Sequence, residues 1–335
     1  MTDFTEMVDL ASERLGAAVV AANDEFFAPK EAMLKQAEPE WREDAYTERG
    51  KWMDGWETRR RRDDDGHDWA IVRLGVPGVV RGVVVDTRWF RGNYPEHCSV
   101  DGCALPGIPS PEELEAAEWV ELLPKSELEG NAPNLFELVR SPRVTHLRLN
   151  IFPDGGVARF RAHGVAQPQL TAFVLRGGEI DLAAMENGGW VEEVSDRFYG
   201  HPQNLILPGR SLFMGDGWET QRRRGPGHDW SIVRLAAPGT IHRVEIDTDH
   251  FKGNVPDRCM LEGIHASGVR EAGNLAEATG WRPILPETKL QPHARHRWEA
   301  EVADAGPVTH VRLSIFPDGG VARLRVFGTL ERPSS

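Results

Sequence analysis

Residues 145–163 read THLRLNIFPDGGVARFRAH, and residues 309–327 repeat the pattern as THVRLSIFPDGGVARLRVF. Before PDGG, Leu147, Leu149 and Ile151 alternate with His146, Arg148 and Asn150. After it, Ala158, Phe160 and Ala162 alternate with Arg159, Arg161 and His163. A period of two means a strand with one buried face. Folded as a hairpin about the PDGG turn, the segment puts all its apolar residues on one side. The simplest register sets Arg148 opposite Arg161 and Asn150 opposite Arg159, with Arg312 facing Arg325 in the second stretch. Like charges directly across a strand pair repel unless something negative lies between them. Asp54, Glu57 and Asp154 could supply that charge from the chain; a bound anionic substrate is the alternative.

Working outward, the repetition extends over most of the chain. DGWETRRRR at Asp54 returns as DGWETQRRR at Asp216, and GHDWAIVRL at Gly66 as GHDWSIVRL at Gly227. DTRWFRGNYP at Asp86 returns as DTDHFKGNVP at Asp247, and VDLAS at Val8 resembles IDLAA at Ile180. Units of roughly 165 residues are far longer than the 20–50 of a solenoid. The chain is therefore two similar domains, 1–168 and 169–335, with a seam in 166–179. Within the first, AIVRLGVPGVVRGVVVDT reads as two β-branched strands broken at Pro77-Gly78. Strand density of this kind, with 34 Gly and 23 Pro, predicts an all-β fold of two tandem jelly-roll β-sandwich domains.

Composition narrows the function. A net charge of −13 disfavours nucleic acid as a partner, though a local arginine cluster can still capture a small anion. No apolar run approaches the ~18 residues of a membrane span, and no secretory leader is visible. Three cysteines without a CxxC pair fit a reducing cytoplasm.

Candidate site residues cluster in the repeated motifs. If residues 54–62 are extended, Glu57, Arg59 and Arg61 share one face and Trp56, Thr58 and Arg60 the other. That face is either a solvated salt-bridge ladder or a carboxylate among guanidinium forks, suited to binding a carboxylate and moving a proton. His67-Asp68 and His228-Asp229 follow glycine turns; each could be an acid/base pair, a metal ligand or a turn bonded to its own backbone. Asn93 and Asn254, between glycine and proline neighbours, serve either a turn or a ureido or amide group. Cys98 and Cys259 lack a basic partner and read as buried and inert. No HExxH or CxxC spacing is present, so no metal site is expected and no cofactor is required, although His67 with nearby carboxylates could hold a labile divalent cation.

These same motifs, GKWMDGWETRRRR, GHDWAIVRLG, FRGN and the doubled IFPDGGVAR, resemble the allantoicase family over nearly the whole chain. The resemblance implies two jelly-roll domains akin to galactose-binding folds, a homo-oligomer, and hydrolysis of allantoate to ureidoglycolate and urea. Allantoate, a small anion with two ureido arms, suits the residues. Glu57 and His67 are the candidate acid and base, with Asp68 beside them. Arg59 and Arg159 are candidates for the carboxylate, Asp54, Asp68 and Asn93 for orientation, and Arg61, Arg148 and Asp154 for further substrate contacts. Their second-copy equivalents are Asp216, Glu219, His228, Asp229, Asn254 and Arg323. Arg59 is replaced by Gln221, Asn150 by Ser314 and His163 by Phe327, so the first copy is expected to carry the main site. The competing readings are a tandem ligand-binding module without catalysis, and a hydrolase of a related ureido compound such as ureidoglycolate.

Overall fold

In a computed structural model that describes residues 4–62, 66–170, 177–266 and 275–331, the chain divides into two units, Met1–Pro168 and Gln169–Ser335. The first contains β1 (Val8–Asp9), β2 (Ala18–Ala22), β3 (Tyr46–Thr47), β4 (Gly50–Lys51), β5 (Trp56–Glu57) and β6 (Asp68–Asp86). It continues with β7 (His97–Cys103), β8 (Val120–Glu127), β9 (Pro133–Glu137), β10 (Arg143–Phe152), β11 (Gly156–Val157) and β12 (Arg159–Ala166). The second contains β13 (Glu179–Asp181), β14 (Trp190–Val194), β15 (Trp218–Glu219), β16 (Asp229–Asp247) and β17 (Arg258–Ile264). It ends with β18 (Arg282–Lys289), β19 (Arg295–Trp298), β20 (Val308–Phe316), β21 (Gly320–Val321) and β22 (Arg323–Leu330).

The long strand β6 organises the first unit. Its beginning, residues 68–73, lies between β2 and β10, whereas its end, residues 82–86, lies between β12 and β9. From there β10 leads on to β7 and β8, and β12 to β1. One strand thus belongs to both layers of an antiparallel β-sandwich, and β16 repeats the arrangement in the second unit. The expected break at Pro77-Gly78 is therefore a correction: it is the place where β6 changes partners, not the end of a strand. Proline has no N–H for a ladder, and a Cβ on Gly78 would stand 2.3 Å from the Val165 carbonyl oxygen. The pair lets the strand bend and the neighbouring backbone approach.

The change of partners also overturns the hairpin. β10 and β12 are not paired with each other; β6 separates them. Arg148 stands opposite Ile71 and Asp101, Arg161 opposite Val84, Arg312 opposite Ile232 and Glu262, and Arg325 opposite Glu245. Alternation fixes which face is buried but not which strand lies alongside. Leu147, Leu149, Ile151 and Phe160 are buried as expected, at 0% exposure.

PDGG is accordingly an arch between layers. Within it β11 pairs with β5, Gly156 opposite Glu57 and Val157 opposite Trp56. This brings the arginine-rich motif against the arch. A Cβ on Gly156 would lie 1.9 Å from the ring of fully buried Phe90. Gly156→Ala should therefore lower stability by about 1–3 kcal/mol through overpacking, read as a lower denaturation midpoint. An unchanged midpoint would show that Phe90 moves aside freely.

Candidate active site

The arch explains where Glu57 points. Its neighbour Trp56 is buried, and the indole Nε1 donates to the Asp24 carbonyl at 2.8 Å. On the other side Thr58 is buried too, its hydroxyl accepting from the Gly155 amide at 3.1 Å. With both neighbours turned inward, Glu57 faces the arch and the FRGN loop. There Asn93 donates from Nδ2 to Glu57 Oε1 at 2.7 Å, while its own carbonyl accepts from the Gly156 amide at 2.7 Å. Burial pushes the Glu57 carboxyl above its ordinary value, and the Asn93 bond offsets this only in part. The second unit repeats the geometry. Asn254 Nδ2 donates to Glu219 Oε1 at 2.6 Å, and the Asn254 carbonyl accepts from Gly320 at 2.8 Å.

Around Glu219 and Asn254 lies a cleft of about 950 Å³. Its walls include Tyr199, Gln221, Arg222, Arg224, Lys289, Gln291 and Asp318. The cleft therefore joins one carboxylate held by an amide to several cations, with further amide and hydroxyl groups that can meet polar ligand atoms. Tyr199, Lys289 and Gln291 are residues that motif reading passes over, because they lie outside the arginine motif and only the fold brings them to it. The divergence of Lys289 and Gln291 from Glu127 and Glu129, at matched positions of the two copies, is the sequence signal that marks the spot.

Several expected site residues have other work. Arg159 is 2% exposed and its guanidinium binds Asp54 Oδ2 at 2.6 Å, along with the carbonyls of Asp54, Ala37 and Ala158. Asp54, itself 5% exposed, also holds Lys35 at 2.8 Å and the Glu40 amide at 3.1 Å. The pair ties residues 32–40 to the sandwich, and Arg323 with Asp216 does the same in the second unit at 3.0 Å. Arg148 is taken by Asp101 at 2.9 Å and lies over Trp119. The like-charge problem that suggested an anion is thus answered within the sheet. Arg59, the residue that favoured the first copy, gives its Nε to Asp24 at 2.7 Å.

His67 and Asp68 sit at the start of β6. Asp68, buried, accepts from Asn23 at 2.9 Å and from Arg61 at 2.7 Å, and the His67 ring stacks on Phe152 with centroids 4.7 Å apart. In the second unit the corresponding His228 stacks similarly on Phe316, and Asp229 holds Arg223. Among the described residues lining the cleft, neither His228 nor Asp229 is found. Asp154 Oδ2 caps the Arg61 amide at 2.8 Å, and Asp318 caps Arg223 at 2.8 Å. Of the expected set, then, the structure brings together Glu57 with Asn93 and Glu219 with Asn254, each beside its arginine run, and joins Asp68 and Asp154 through Arg61.

Cys98 and Cys259 are fully buried, and desolvation pushes each thiol up to about 12. Neither is a nucleophile at neutral pH. Among the described residues no group of three or more His, Cys, Asp or Glu side chains is placed to hold a metal ion. No helix among them is long and apolar enough to cross a membrane.

The family model of the allantoicase repeat matches twice, at residues 8–167 and 180–331. A probable allantoicase of Burkholderia mallei is 50% identical over 327 residues, covering 97% of this chain and 95% of that protein. The allantoicase of Dictyostelium discoideum is 45% identical over 324 residues, 96% of this chain and 87% of its own. The crystal structure of Saccharomyces cerevisiae allantoicase, 33% identical, aligns with a TM-score of 0.74 over 96% of this chain and 93% of that one. With the repeat matched in both halves and the relatives covered over most of their length, the chain belongs to the allantoicase family.

Proposed function

We propose that the protein hydrolyses allantoate to ureidoglycolate and urea, using a Glu–Asn pair bordered by arginines. The observation that carries this reading is the recurrence of one geometry, Asn93 on Glu57 at 2.7 Å and Asn254 on Glu219 at 2.6 Å, beside the arginine run in each copy. Allantoate has a carboxylate and two ureido groups on one carbon. In the reaction water oxygen bonds to that carbon, the bond to one ureido nitrogen breaks, and urea leaves. Water must lose a proton and the departing nitrogen must gain one. A single carboxylate balances both transfers by accepting the first and returning it. The asparagine holds Oε1, so Oε2 is the atom that handles the proton. Arginine forks suit the substrate carboxylate, and amide groups suit the ureido N–H and C=O. No covalent intermediate is needed.

Incubation of the purified protein with allantoate should release urea and ureidoglycolate in equal amounts. Binding without urea would favour a ligand-binding module, and a higher kcat/KM on ureidoglycolate would favour a neighbouring hydrolase. We place the enzyme in the cytoplasm, a reading supported by three unpaired, buried cysteines and checked by cell fractionation. Family membership supports a homo-oligomer, to be measured by light scattering. No required cofactor is proposed; activity lost to a chelator and restored by one divalent metal would reverse that.

A further inference from the structure

We propose that the second repeat alone takes the anionic substrate, and that Lys289 and Gln291, set against Glu127 and Glu129 in the first repeat, decide this. The inference rests on the proposed hydrolysis and names which copy of the site performs it. The positions are matched by strand register. In the second unit Lys289 stands opposite Arg258 and Thr288 opposite Cys259. In the first, Glu127 stands opposite His97 and Ser126 opposite Cys98. Two residues on, the Thr248 hydroxyl donates to the Gln291 carbonyl at 2.7 Å, as the Thr87 hydroxyl donates to the Glu129 carbonyl at 2.6 Å. The strand registers match, and the side chains differ in charge.

That difference makes the site balanced in the second repeat and net negative in the first. The second-repeat cleft has three cations, Arg222, Arg224 and Lys289, and three carboxylates, Glu219, Asp257 and Asp318. The matching positions of the first repeat have three cations (Arg59, Arg60 and Arg62) but five carboxylates, those of Glu57, Glu96, Glu127, Glu129 and Asp154. One of those cations, Arg59, is already neutralised by Asp24. At the rim of the second cleft, Asp257 pairs with Lys289 and pins the ammonium at the mouth. In the first repeat the same two positions are Glu96 and Glu127, a pair of like charges that repels an approaching carboxylate. In a protein of net charge −13, an anion enters more readily where the local charges balance than where they add to the overall field.

The test exchanges the charges. Lys289→Glu with Gln291→Glu gives the second repeat the charges of the first; Glu127→Lys with Glu129→Gln makes the reverse change. The first variant should raise KM for allantoate about tenfold or more, with kcat within about threefold, and flatten the salt dependence of kcat/KM. The second should add an allantoate-binding equivalent, at the first repeat, to the one the wild type has. Lys289 is 63% exposed at its side chain, so the substitutions fall on the surface, and Lys289→Gln, with an intermediate KM, guards against a misfolded result. Titration calorimetry with allantoate reads binding separately from turnover. If the wild type binds allantoate but releases no urea, the hydrolysis reading fails while the calorimetric comparison still judges the charge assignment. Unchanged binding in the Lys289→Glu, Gln291→Glu protein, no added binding in the Glu127→Lys, Glu129→Gln protein, or no binding by the wild type would each overturn the proposal.

Discussion

Arg159→Ala should destabilise the first repeat rather than weaken its hold on a ligand. The guanidinium is 2% exposed and bonds the Asp54 carboxylate together with carbonyls from three separate stretches of chain. Deleting it leaves Asp54 buried, with Lys35 as its remaining ion-pair partner, whose side chain is 46% exposed. Breaking one side of a buried pair removes about 3–5 kcal/mol, a large part of the 5–15 kcal/mol typical of a folded domain. Arg323→Ala should do the same to the second repeat through Asp216. The interaction also has a pH signature. Burial raises the Asp54 pKa, but hydrogen bonds from Arg159, Lys35 and the Glu40 amide outweigh it, and the carboxyl lies below its ordinary value. A depressed carboxyl contributes stability that is complete above the unfolded pKa and lost as pH falls through the folded one. The wild type should therefore lose stability below about pH 4, and Arg159→Ala should lose less over that range. Chemical denaturation across pH checks both statements. A variant with an unaltered midpoint and a raised KM would return Arg159 to the ligand.

The contrast between Arg159 and Glu57 shows what a single sequence can carry. Duplication and alternation are local patterns, so two β repeats and the buried faces of β10 and β12 were legible. Pairing was not: an arch and a hairpin have the same alternation, and only the long β6 decides between them. Charge on a strand is equally ambiguous. Arg148 opposite Asp101 and Arg159 against Asp54 look, in sequence, the same as arginines awaiting a ligand. Glu57 and Asn93 were legible because two separate motifs recur together, and the arch joins them. Lys289 and Gln291 belong to no such motif; the end of β18 and the residues just after it deliver them to the cleft from a distant part of the chain.

Glu219→Gln should produce the largest loss of turnover, about 10²–10⁴-fold in kcat, because it removes the group that accepts and returns the proton while keeping size and shape. Asn254 can still donate to the new amide oxygen, so circular dichroism and the melting temperature should stay near wild type. Glu57→Gln provides the comparison. The reasons for expecting chemistry in the first repeat were Arg59, Asn150 and His163, and these are engaged by Asp24, by Ser99 and Asp101, and by the Met7 carbonyl. On the charge argument Glu57→Gln should keep urea release within about threefold. Its effect should appear in stability instead. Burial pushes the Glu57 carboxyl up, so its ionised form is disfavoured in the fold at neutral pH, and that penalty disappears as pH falls through the raised pKa. A neutral glutamine removes the penalty, so Glu57→Gln should melt higher than wild type at pH 7, with the gain fading in acid. Urea assays on the two variants then separate the repeats. A loss confined to Glu57→Gln would move the chemistry to the first repeat, and equal losses would mean that both Glu–Asn pairs turn over substrate or act together.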